Sequence, residues 1–270
     1  MNWSEENALR YDRNLRLKEL GKEGQERLFR ASVLVVGAGG LGSPALLYLA
    51  AAGVGRIGVI DGDRLDLTNL NRQVIHSASA IGRWKAESAA DTLRAFRPDL
   101  AVDVYTMLLT AENAPELFRR YDAVVDACDN FPTKYLCNDA AVLARRPLVH
   151  AGVMRFAGQM LTVVPGETAC LRCVIPEIPP RKDSPGAVQV GILGAAAGIV
   201  GAWQAMEAVK LLAGIGPRPG GHLITVDALA GETSRYPVEK DPACPACGVS
   251  PRIAEPLSPA EYEQEPAPVQ

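Results

Sequence analysis

A glycine-rich turn between two short apolar runs constrains the fold of this chain more than any other feature. Residues 33–36 and 57–60 are apolar and rich in β-branched side chains, and the second run ends at Asp61. After the first run come three glycines at G-x-G-x-x-G spacing, Gly37, Gly39 and Gly42. Such a strand, turn, helix and strand unit presents backbone N–H groups to phosphate. The pattern predicts nucleotide binding but not which nucleotide.

The remaining apolar runs predict an α/β, Rossmann-like nucleotide-binding fold with one mixed sheet flanked by helices. In the first half of the chain, predicted strands alternate with helices, as in parallel sheets. The predicted strands there are 101–107, 121–128 and 147–151, and the predicted helices are 44–52, 85–96 and 132–145. The second half supplies strands 159–164 and 222–227 and one long helix, 193–213. We therefore expect a parallel first half and an antiparallel second half.

The chain shows no internal repeat and no linker-like stretch before its last residues. We expect residues 1–250 to form a single domain. Residues 175–190 carry four prolines, which disfavour helix and central strand, so this stretch is predicted to be a mobile crossover loop. Residues 251–270 are rich in proline and glutamate and are predicted to be a disordered or loosely docked tail.

Composition excludes several partner classes. The net charge of −3 favours neither nucleic acid nor an anionic membrane. The uncharged stretch 187–206 is rich in Gly and Ala and contains Gln189 and Gln204, so a buried helix explains it better than a membrane span. Glu5 and Glu6 stand where a signal peptide would be apolar, so a cytoplasmic protein is expected.

Polar side chains follow the predicted strands at their carboxyl ends, where open α/β sheets bind ligands. The candidates are Asp61, Asp63, Asn69, Asn71, Arg72, Gln73, Asp129 and Asn130. Lys85 lies in the first turn of a predicted helix, where a cation is unfavourable unless an anion shares the site. A solvated loop and a helix N-cap at Asp129 or Asn130 remain alternatives. Near the start, Arg10, Tyr11, Arg13 and Arg16 form either a solvated arm or an anion contact.

The cysteines predict a metal site. Cys170 and Cys173 form one C-x-x-C pair, and Cys244 and Cys247 form a second. Two such pairs supply the four thiolates of a closed tetrahedral Zn²⁺ site, which is structural because no coordination position is free. A redox dithiol is the alternative, but it normally uses a single pair. Cys128 and Cys137 have no such partner and are expected to be small buried side chains.

Taken together, the motifs resemble those of the ubiquitin-activating-like adenylyltransferases, in particular the bacterial sulfur-carrier activators MoeB, ThiF and HesA. The similarity spans residues 8–248. It is carried, in order, by R-Y-D-R-N, G-A-G-G-L-G, D-G-D-R-L-D-L-T-N-L-N-R-Q, G-R-W-K, D-A-C-D-N and the double C-x-x-C.

The resemblance implies a homodimer that uses ATP and Mg²⁺ to adenylate the C-terminal Gly-Gly carboxylate of a ubiquitin-like sulfur carrier protein, releasing pyrophosphate. The implied nucleotide contacts are Gly39, Gly40, Asp61, Asp63, Asn69, Arg72, Gln73, Lys85, Asp129 and Asn130. Asp129 is the implied Mg²⁺ ligand, and Arg13 reaches the phosphates of the neighbouring subunit. Arg13, Arg72, Lys85 and Asp129 are the implied catalytic residues. Molybdopterin synthesis, thiazole synthesis and tRNA thiolation all use such activators.

This sequence departs from the family at one position. Several relatives carry a cysteine in the crossover loop where Ala187 stands here. A covalent enzyme–carrier intermediate at this loop is therefore not expected. Since no rhodanese-like segment follows residue 248, we expect sulfur to come from a separate donor, a cysteine desulfurase or a rhodanese-type protein.

Three other functions are compatible with parts of the pattern. An NAD-dependent oxidoreductase explains the glycines and Asp61 but not Arg72, Lys85, Asp129 and the four cysteines. A non-catalytic scaffold relative is disfavoured because every residue type of the nucleotide site is present. A relative that cyclises tRNA-bound threonyladenosine would lack the double C-x-x-C.

Overall fold

The computed structural model describes residues 4–179, 190–217 and 220–263, and these build an eight-stranded mixed sheet. Across the sheet the strands run in the order β3-β2-β1-β4-β5-β6-β7-β8. The strands are β1 (Ser32–Val36), β2 (Arg56–Ile60), β3 (Ala101–Tyr105), β4 (Ala123–Asp126), β5 (Leu148–Met154), β6 (Ala157–Val163), β7 (His222–Asp227) and β8 (Glu232–Pro237). The predicted mixed sheet is confirmed.

Strand direction changes at β5. Strands β1 to β5 pair in parallel, and β5 pairs with β6 in antiparallel register from Leu148↔Val163 to Met154↔Ala157. Strands β6, β7 and β8 continue antiparallel. All the parallel strands therefore end at the same edge of the sheet, which brings together the residues that follow β1, β2 and β4.

Helices cover both faces of the sheet. They are α1 (Glu5–Arg10), α2 (Asp12–Leu15), α3 (Gly21–Arg30), α4 (Gly42–Ala52), α5 (Lys85–Phe96), α6 (Ala114–Arg119), α7 (Phe131–Ala144), α8 (Leu171–Val174), α9 (Gly194–Ala213) and α10 (Pro259–Glu263). One apolar core packs α4, α5 and α9 against one face of the sheet. A second core packs α6 and α7 against the other face.

The helix ends follow local sequence signals. Helices α4 and α9 each end at a left-handed glycine, Gly53 and Gly214, a conformation that glycine adopts without steric cost. The Asn130 side chain accepts from the Thr133 N–H and caps α7, with Pro132 in its first turn. The uncharged stretch interpreted above as a buried helix contributes Ala196, Ala197 and Val200 to the core in α9. Among the described helices, none is both long and apolar enough to cross a membrane.

Several short elements were not predicted, among them strand β8 and helix α6. Strand β8 reads E-T-S-R-Y-P, and all six residues are exposed, so it has no apolar alternation to recognise. Helix α6 is only six residues long and was included in the connection between two predicted strands. Short elements of this kind are set by their tertiary neighbours more than by local pattern.

Of the two alternatives for the end of the chain, disordered or loosely docked, its first thirteen residues follow the docked one. Residues 251–263 lie against the second core, with Ile253 and Tyr262 almost fully buried. The Tyr262 hydroxyl donates to Asp139 Oδ2 of α7 at 2.9 Å. Two buried side chains in an otherwise polar stretch are enough to dock it. Residues 264–270, and residues 180–189 of the predicted crossover loop with Ala187, lie outside the described residues.

Candidate active site

The glycine turn is held close to the end of β4. Gly37 has φ of 98°, and a Cβ added there would lie 2.9 Å from the Ala127 carbonyl oxygen. A Cβ on Gly42 would collide with the Gly37 carbonyl. Both positions need glycine, for a left-handed conformation and for close backbone approach respectively. The turn and the segment that carries Asp129 are therefore adjacent.

Asp61 closes the turn from the neighbouring strand. Its carboxylate accepts the Ala38 N–H at 2.8 Å and the Asp63 N–H at 2.9 Å. Burial raises the pKa of the Asp61 carboxyl, and these two N–H donors offset that rise in part. The carboxylate thus ties β2 to the glycine turn and stands at the sheet edge where the sequence predicted it.

Lys85 is a buried cation at the same edge. It is only 7% exposed, and its ammonium donates to Asp63 Oδ2 at 2.8 Å. The Lys85 N–H also donates to the Asp63 carbonyl at 2.9 Å, so both ends of the residue are fixed to one partner. The first turn of α5 therefore holds a positive charge beside Asp61, although the helix dipole disfavours a cation there.

The loop after β2 brings the predicted polar residues to the glycine turn. Asn69 Oδ1 accepts the Asp66 N–H at 3.0 Å in a capping box that folds the loop. Arg72 donates to the Thr68 carbonyl at 2.8 Å, and its Cγ lies 3.6 Å from where a Cβ on Gly40 would stand. Gln73 is 4% exposed and lies beside Gly39. Within the described part of the chain, its Oε1 has no hydrogen-bond partner.

Asp129 and Asn130 occupy different roles in the turn after β4. Asn130 caps α7, accepting the Thr133 N–H at 2.9 Å, so the alternative of an N-cap holds for this residue. Asp129 is exposed at the carboxyl edge of the sheet, on the side of the glycine turn. An exposed carboxylate flanked by fixed neighbours can accept a cation from solvent.

Arg13 is the predicted site residue that the structure does not bring to this cluster. It is exposed in α2 and pairs with the adjacent Asp12 at 3.0 Å. In the described ranges, no contact joins Arg13 to the glycine turn, the Asp61 loop or Asp129.

His76 supports the glycine turn, a role that sequence reasoning missed. Its Nε2 lies 2.9 Å from the Ala38 carbonyl oxygen, and its Nδ1 lies 2.9 Å from Ser88 Oγ. A carbonyl only accepts, so Nε2 carries the proton and Nδ1 accepts from the serine hydroxyl. Burial lowers the pKa of His76, which favours this neutral form. His76 lies nine residues before the helix predicted at 85–96, and no spacing in the sequence indicates this role.

A buried charge cluster beneath Asp129 was also missed. Asp126, Lys134 and His150 are each at most 6% exposed, and Asp126 accepts from both of the others. Burial alone would raise the pKa of Asp126, but the charge of Lys134 and the hydrogen bond from His150 outweigh it and lower that pKa. The three residues come from β4, α7 and β5, so no local spacing reveals them.

The four predicted metal-ligand cysteines converge. Their sulfur atoms all lie within 4.8 Å of one another. The separations are 3.9 Å for Cys170–Cys173, 3.6 Å for Cys170–Cys244 and 3.4 Å for Cys173–Cys247. A tetrahedral site with Zn–S bonds of about 2.3 Å requires sulfur separations of about 3.8 Å, so the four thiols fit one zinc ion.

The sheet edge therefore combines aligned backbone donors and two cations with three carboxylates, those of Asp61, Asp63 and Asp129. Such an arrangement positions anions and stabilises developing negative charge instead of transferring protons. The Ser–His pair described above, Ser88 and His76, is buried, and His76 is also bonded to the Ala38 carbonyl, so this pair supports the glycine turn.

Comparison with known proteins gives the family and several relatives. The model of the ThiF family matches residues 11–246. The sulfur carrier protein adenylyltransferase of Thermus thermophilus is 47% identical over 256 residues, 93% of this chain and 94% of that protein. The SAMP-activating enzyme E1 of Haloferax volcanii is 44% identical and covers 88% of both chains. The adenylyltransferase and sulfurtransferase MOCS3 of Sus scrofa is 46% identical, but the chain spans only 56% of it.

Solved structures show the same fold. Escherichia coli MccB superposes with a TM-score of 0.79 at 24% identity, covering 93% of this chain and 74% of that one. A complex of MccB with ATP superposes with a TM-score of 0.76, covering 88% of this chain and 74% of that one. At this identity the match concerns the arrangement of strands and helices.

Proposed function

This chain belongs to the ThiF family, and from that premise we propose that it adenylates the C-terminal carboxylate of a small sulfur carrier protein, using ATP. The relative from Thermus thermophilus, similar along almost its whole length, carries this activity in its name. The observation that carries the proposal is the placing of Arg72 and Lys85 beside a glycine turn that Asp61 closes. An oxidoreductase has no need for two cations there.

Different residues contact the phosphates and the ribose of ATP. The N–H groups of the turn at Gly39 and Gly40 face the phosphates, and Asp61, with Asp63 beside it, accepts from the ribose hydroxyls. Three further side chains hold the triphosphate: Asn69, Arg72 and Lys85. Gln73 and Asn130 border the nucleotide, and the buried Oε1 of Gln73 has no hydrogen-bond partner among the residues that the structure describes.

Asp129 fits a magnesium ion. Mg²⁺ prefers oxygen ligands and is held by one or two carboxylates together with the phosphates of its substrate. An exposed carboxylate next to the glycine turn provides such a ligand. When bound there, the ion neutralises phosphate charge.

The proposed chemistry needs no general base. A C-terminal carboxylate has a reference pKa of about 3.3–3.7, so it is ionised at neutral pH and needs no deprotonation. It must approach an anionic α-phosphate and displace pyrophosphate. Cations and fixed N–H donors lower the cost of that approach and stabilise the charge on the leaving group.

The four cysteines are proposed to hold structural zinc. Their sulfur separations match a tetrahedral ion, and four protein ligands leave no position for substrate. The cluster fastens the segment after β6 to the segment after β8, and the adenylation chemistry does not pass through it.

A direct experiment tests the function. The purified protein is incubated with ATP, Mg²⁺ and a carrier protein that ends in Gly-Gly, and pyrophosphate release and intact masses are measured. We expect carrier-dependent pyrophosphate and a carrier–AMP mass, with no enzyme–carrier adduct in the absence of reductant, because Ala187 offers no thiol. Absence of carrier-dependent pyrophosphate, or NADH-linked absorbance changes with a hydroxy acid, would overturn the proposal.

The exposed position of Arg13 supports a role across a homodimer. We propose that Arg13 completes the phosphate site of the second subunit. Arg13→Ala and Asp129→Ala should each be nearly inactive alone. After subunit exchange, a mixture of the two should regain activity because some heterodimers have one intact site. If verified heterodimers stay inactive, Arg13 does not act in trans.

Other aspects follow from the family. We propose that the enzyme acts in the cytoplasm and that sulfur reaches the activated carrier from a separate donor protein. The candidate pathways are molybdopterin synthesis, thiamine synthesis and tRNA thiolation. Affinity capture with every small Gly-Gly-ending protein of the same organism identifies the carrier.

A further inference from the structure

We propose that Lys134 is a positioning residue of the adenylation site: it holds the buried Asp126 carboxylate, which fixes the backbone turn that carries Asp129. The inference rests on the proposed function, because it assumes that Asp129 holds the metal of the ATP complex. Lys134 does not belong to the set of residues predicted from the sequence, and it touches none of the proposed nucleotide contacts directly.

The first step is the contact between Lys134 and Asp126. The Lys134 ammonium lies 3.2 Å from Asp126 Oδ1 and 3.4 Å from Oδ2, and it also donates to the Ala151 carbonyl of β5. The Asp126 side chain is fully buried, and that of Lys134 is 8% exposed. His150 Nδ1 lies 2.7 Å from Asp126 Oδ2 and completes the partners of that oxygen. Water therefore cannot replace the ammonium.

Asp126 is connected to Asp129 through the backbone turn at Cys128. Asp126 Oδ1 accepts the Cys128 N–H at 3.1 Å and the Cys128 thiol at 2.6 Å. These bonds fold the chain back over the end of β4 in a turn that an aspartate side chain stabilises. On the other side of Asp129, Asn130 caps α7. Asp129 is therefore exposed between two residues whose backbones are fixed.

The turn after β4 also contacts the glycine turn. The Ala127 carbonyl lies where a Cβ on Gly37 would clash, and the Ala127 N–H donates to the Val36 carbonyl at 2.9 Å. The turn after β4 is thus packed against the glycine turn. A shift of this turn moves Asp129 relative to the phosphates. Positions of reacting groups must be held to within a fraction of an ångström for full activity.

Removing the charge tests the inference. In Lys134→Met, the Asp126 carboxylate loses its buried cation and keeps only the hydrogen bonds from His150 and Cys128, so the turn at Cys128 is expected to loosen. The matched control is Arg172→Met, which removes another buried cation from a carboxylate of α7, Asp139, with N–O distances of 2.8 Å. That pair lies beside the cysteine cluster and away from Asp129. Lys134→Arg keeps the charge and should restore function.

The readout that separates positioning from stability is metal binding. Mn²⁺ affinity of the protein with a non-hydrolysable ATP analogue is measured by electron paramagnetic resonance, together with kcat and the KM for the carrier. We expect Lys134→Met to lower Mn²⁺ affinity and kcat by about 10- to 100-fold, the range for residues that orient metal ligands. The KM for the carrier should stay within about twofold because Lys134 is buried and its substitution leaves the protein surface unchanged, and Lys134→Arg should recover most of the loss.

Each outcome decides the inference. Wild-type Mn²⁺ affinity in Lys134→Met, or an equal loss in Arg172→Met, would overturn it. If Lys134→Met does not fold, the double variant Asp126→Leu/Lys134→Met removes both charges and should show the same loss of Mn²⁺ affinity. Asp129→Ala separates the two proposals. If that variant binds Mn²⁺ normally, the role of Asp129 is wrong; if it fails while Lys134→Met is normal, only the present inference is wrong.

Discussion

The candidate active site at the sheet edge and the cysteine cluster differ in how far their polar side chains find partners within the protein. At the sheet edge, Asp129 is exposed, and Gln73 Oε1 is buried without a partner among the described residues. In the cysteine cluster, Cys170 and Cys244 are at most 1% exposed, and the four sulfurs face one another. The first region leaves polar groups open to a ligand from solution, whereas the four thiols of the second have the separations of a closed tetrahedral metal site. We conclude that substitutions at the sheet edge should affect catalysis, and those at the cluster should affect folding.

The largest expected effect is on the cysteine cluster. Cys244→Ser removes one of four ligands, and structural zinc sites contribute on the order of 10 kcal/mol to folding. We expect loss of bound zinc and a large fall in melting temperature, measured by metal analysis and thermal unfolding. Cys137→Ala, which changes a buried cysteine outside the cluster, should keep its zinc. A wild-type protein purified without zinc would contradict the assignment.

A large effect on rate, with little effect on stability, is expected at Lys85. Removing one charge that stabilises a transition state typically costs about 10²- to 10³-fold, so Lys85→Met should lower kcat/KM for adenylation by this amount. Its partner Asp63 is largely exposed, so the loss of the pair should change stability by about 1 kcal/mol or less. Steady-state pyrophosphate release and thermal unfolding measure the two effects. Arg83→Met, at an exposed neighbour paired with Asp91, should leave both unchanged.

The smallest expected effect is on the docked end of the chain. Tyr262→Phe removes the hydroxyl that donates to Asp139 and accepts the Leu257 N–H. Hydrogen bonds to charged groups contribute about 1.5–3 kcal/mol, so the free energy of unfolding should fall by about that amount, with adenylation unchanged. Tyr236→Phe on the exposed strand β8 is the control. Equal melting temperatures of the two variants would show that the docked end does not contribute to stability.

The parts of the fold that sequence predicted are those with strong local signals. Parallel strands that alternate with helices are predicted by the apolar runs of β1, β2 and β4 and by the glycine turn. The paired C-x-x-C spacing predicted the cluster because two neighbouring ligands must come from one tight turn. Strand β8 and the docking of Tyr262 were not predictable, because their partners are remote in sequence and their own residues are mostly polar.

The candidate site divides in the same way. Asp61 directly follows β2, Arg72 lies in the loop after it, and Asp129 lies three residues beyond β4. The rule for carboxyl ends of parallel strands therefore predicted all three at one edge of the sheet. Lys134 and His76 are buried next to the site and contact Asp126 and the Ala38 carbonyl. These contacts form only when the neighbouring helices and strands pack together, so the spacing of the residues in the sequence does not predict them.

The distance along the chain between the two cysteine pairs also determines when the metal can be captured during synthesis. Cys170 and Cys244 are 74 residues apart, and all of α9, β7 and β8 lies between them. A ribosome adds about 5–20 residues per second, so the first pair waits several seconds for the second to emerge. During that interval the first pair is a two-thiolate site that holds metal weakly and is open to oxidation. Coordination of a zinc ion by all four cysteines can therefore be completed only after both halves of the sheet have been synthesised.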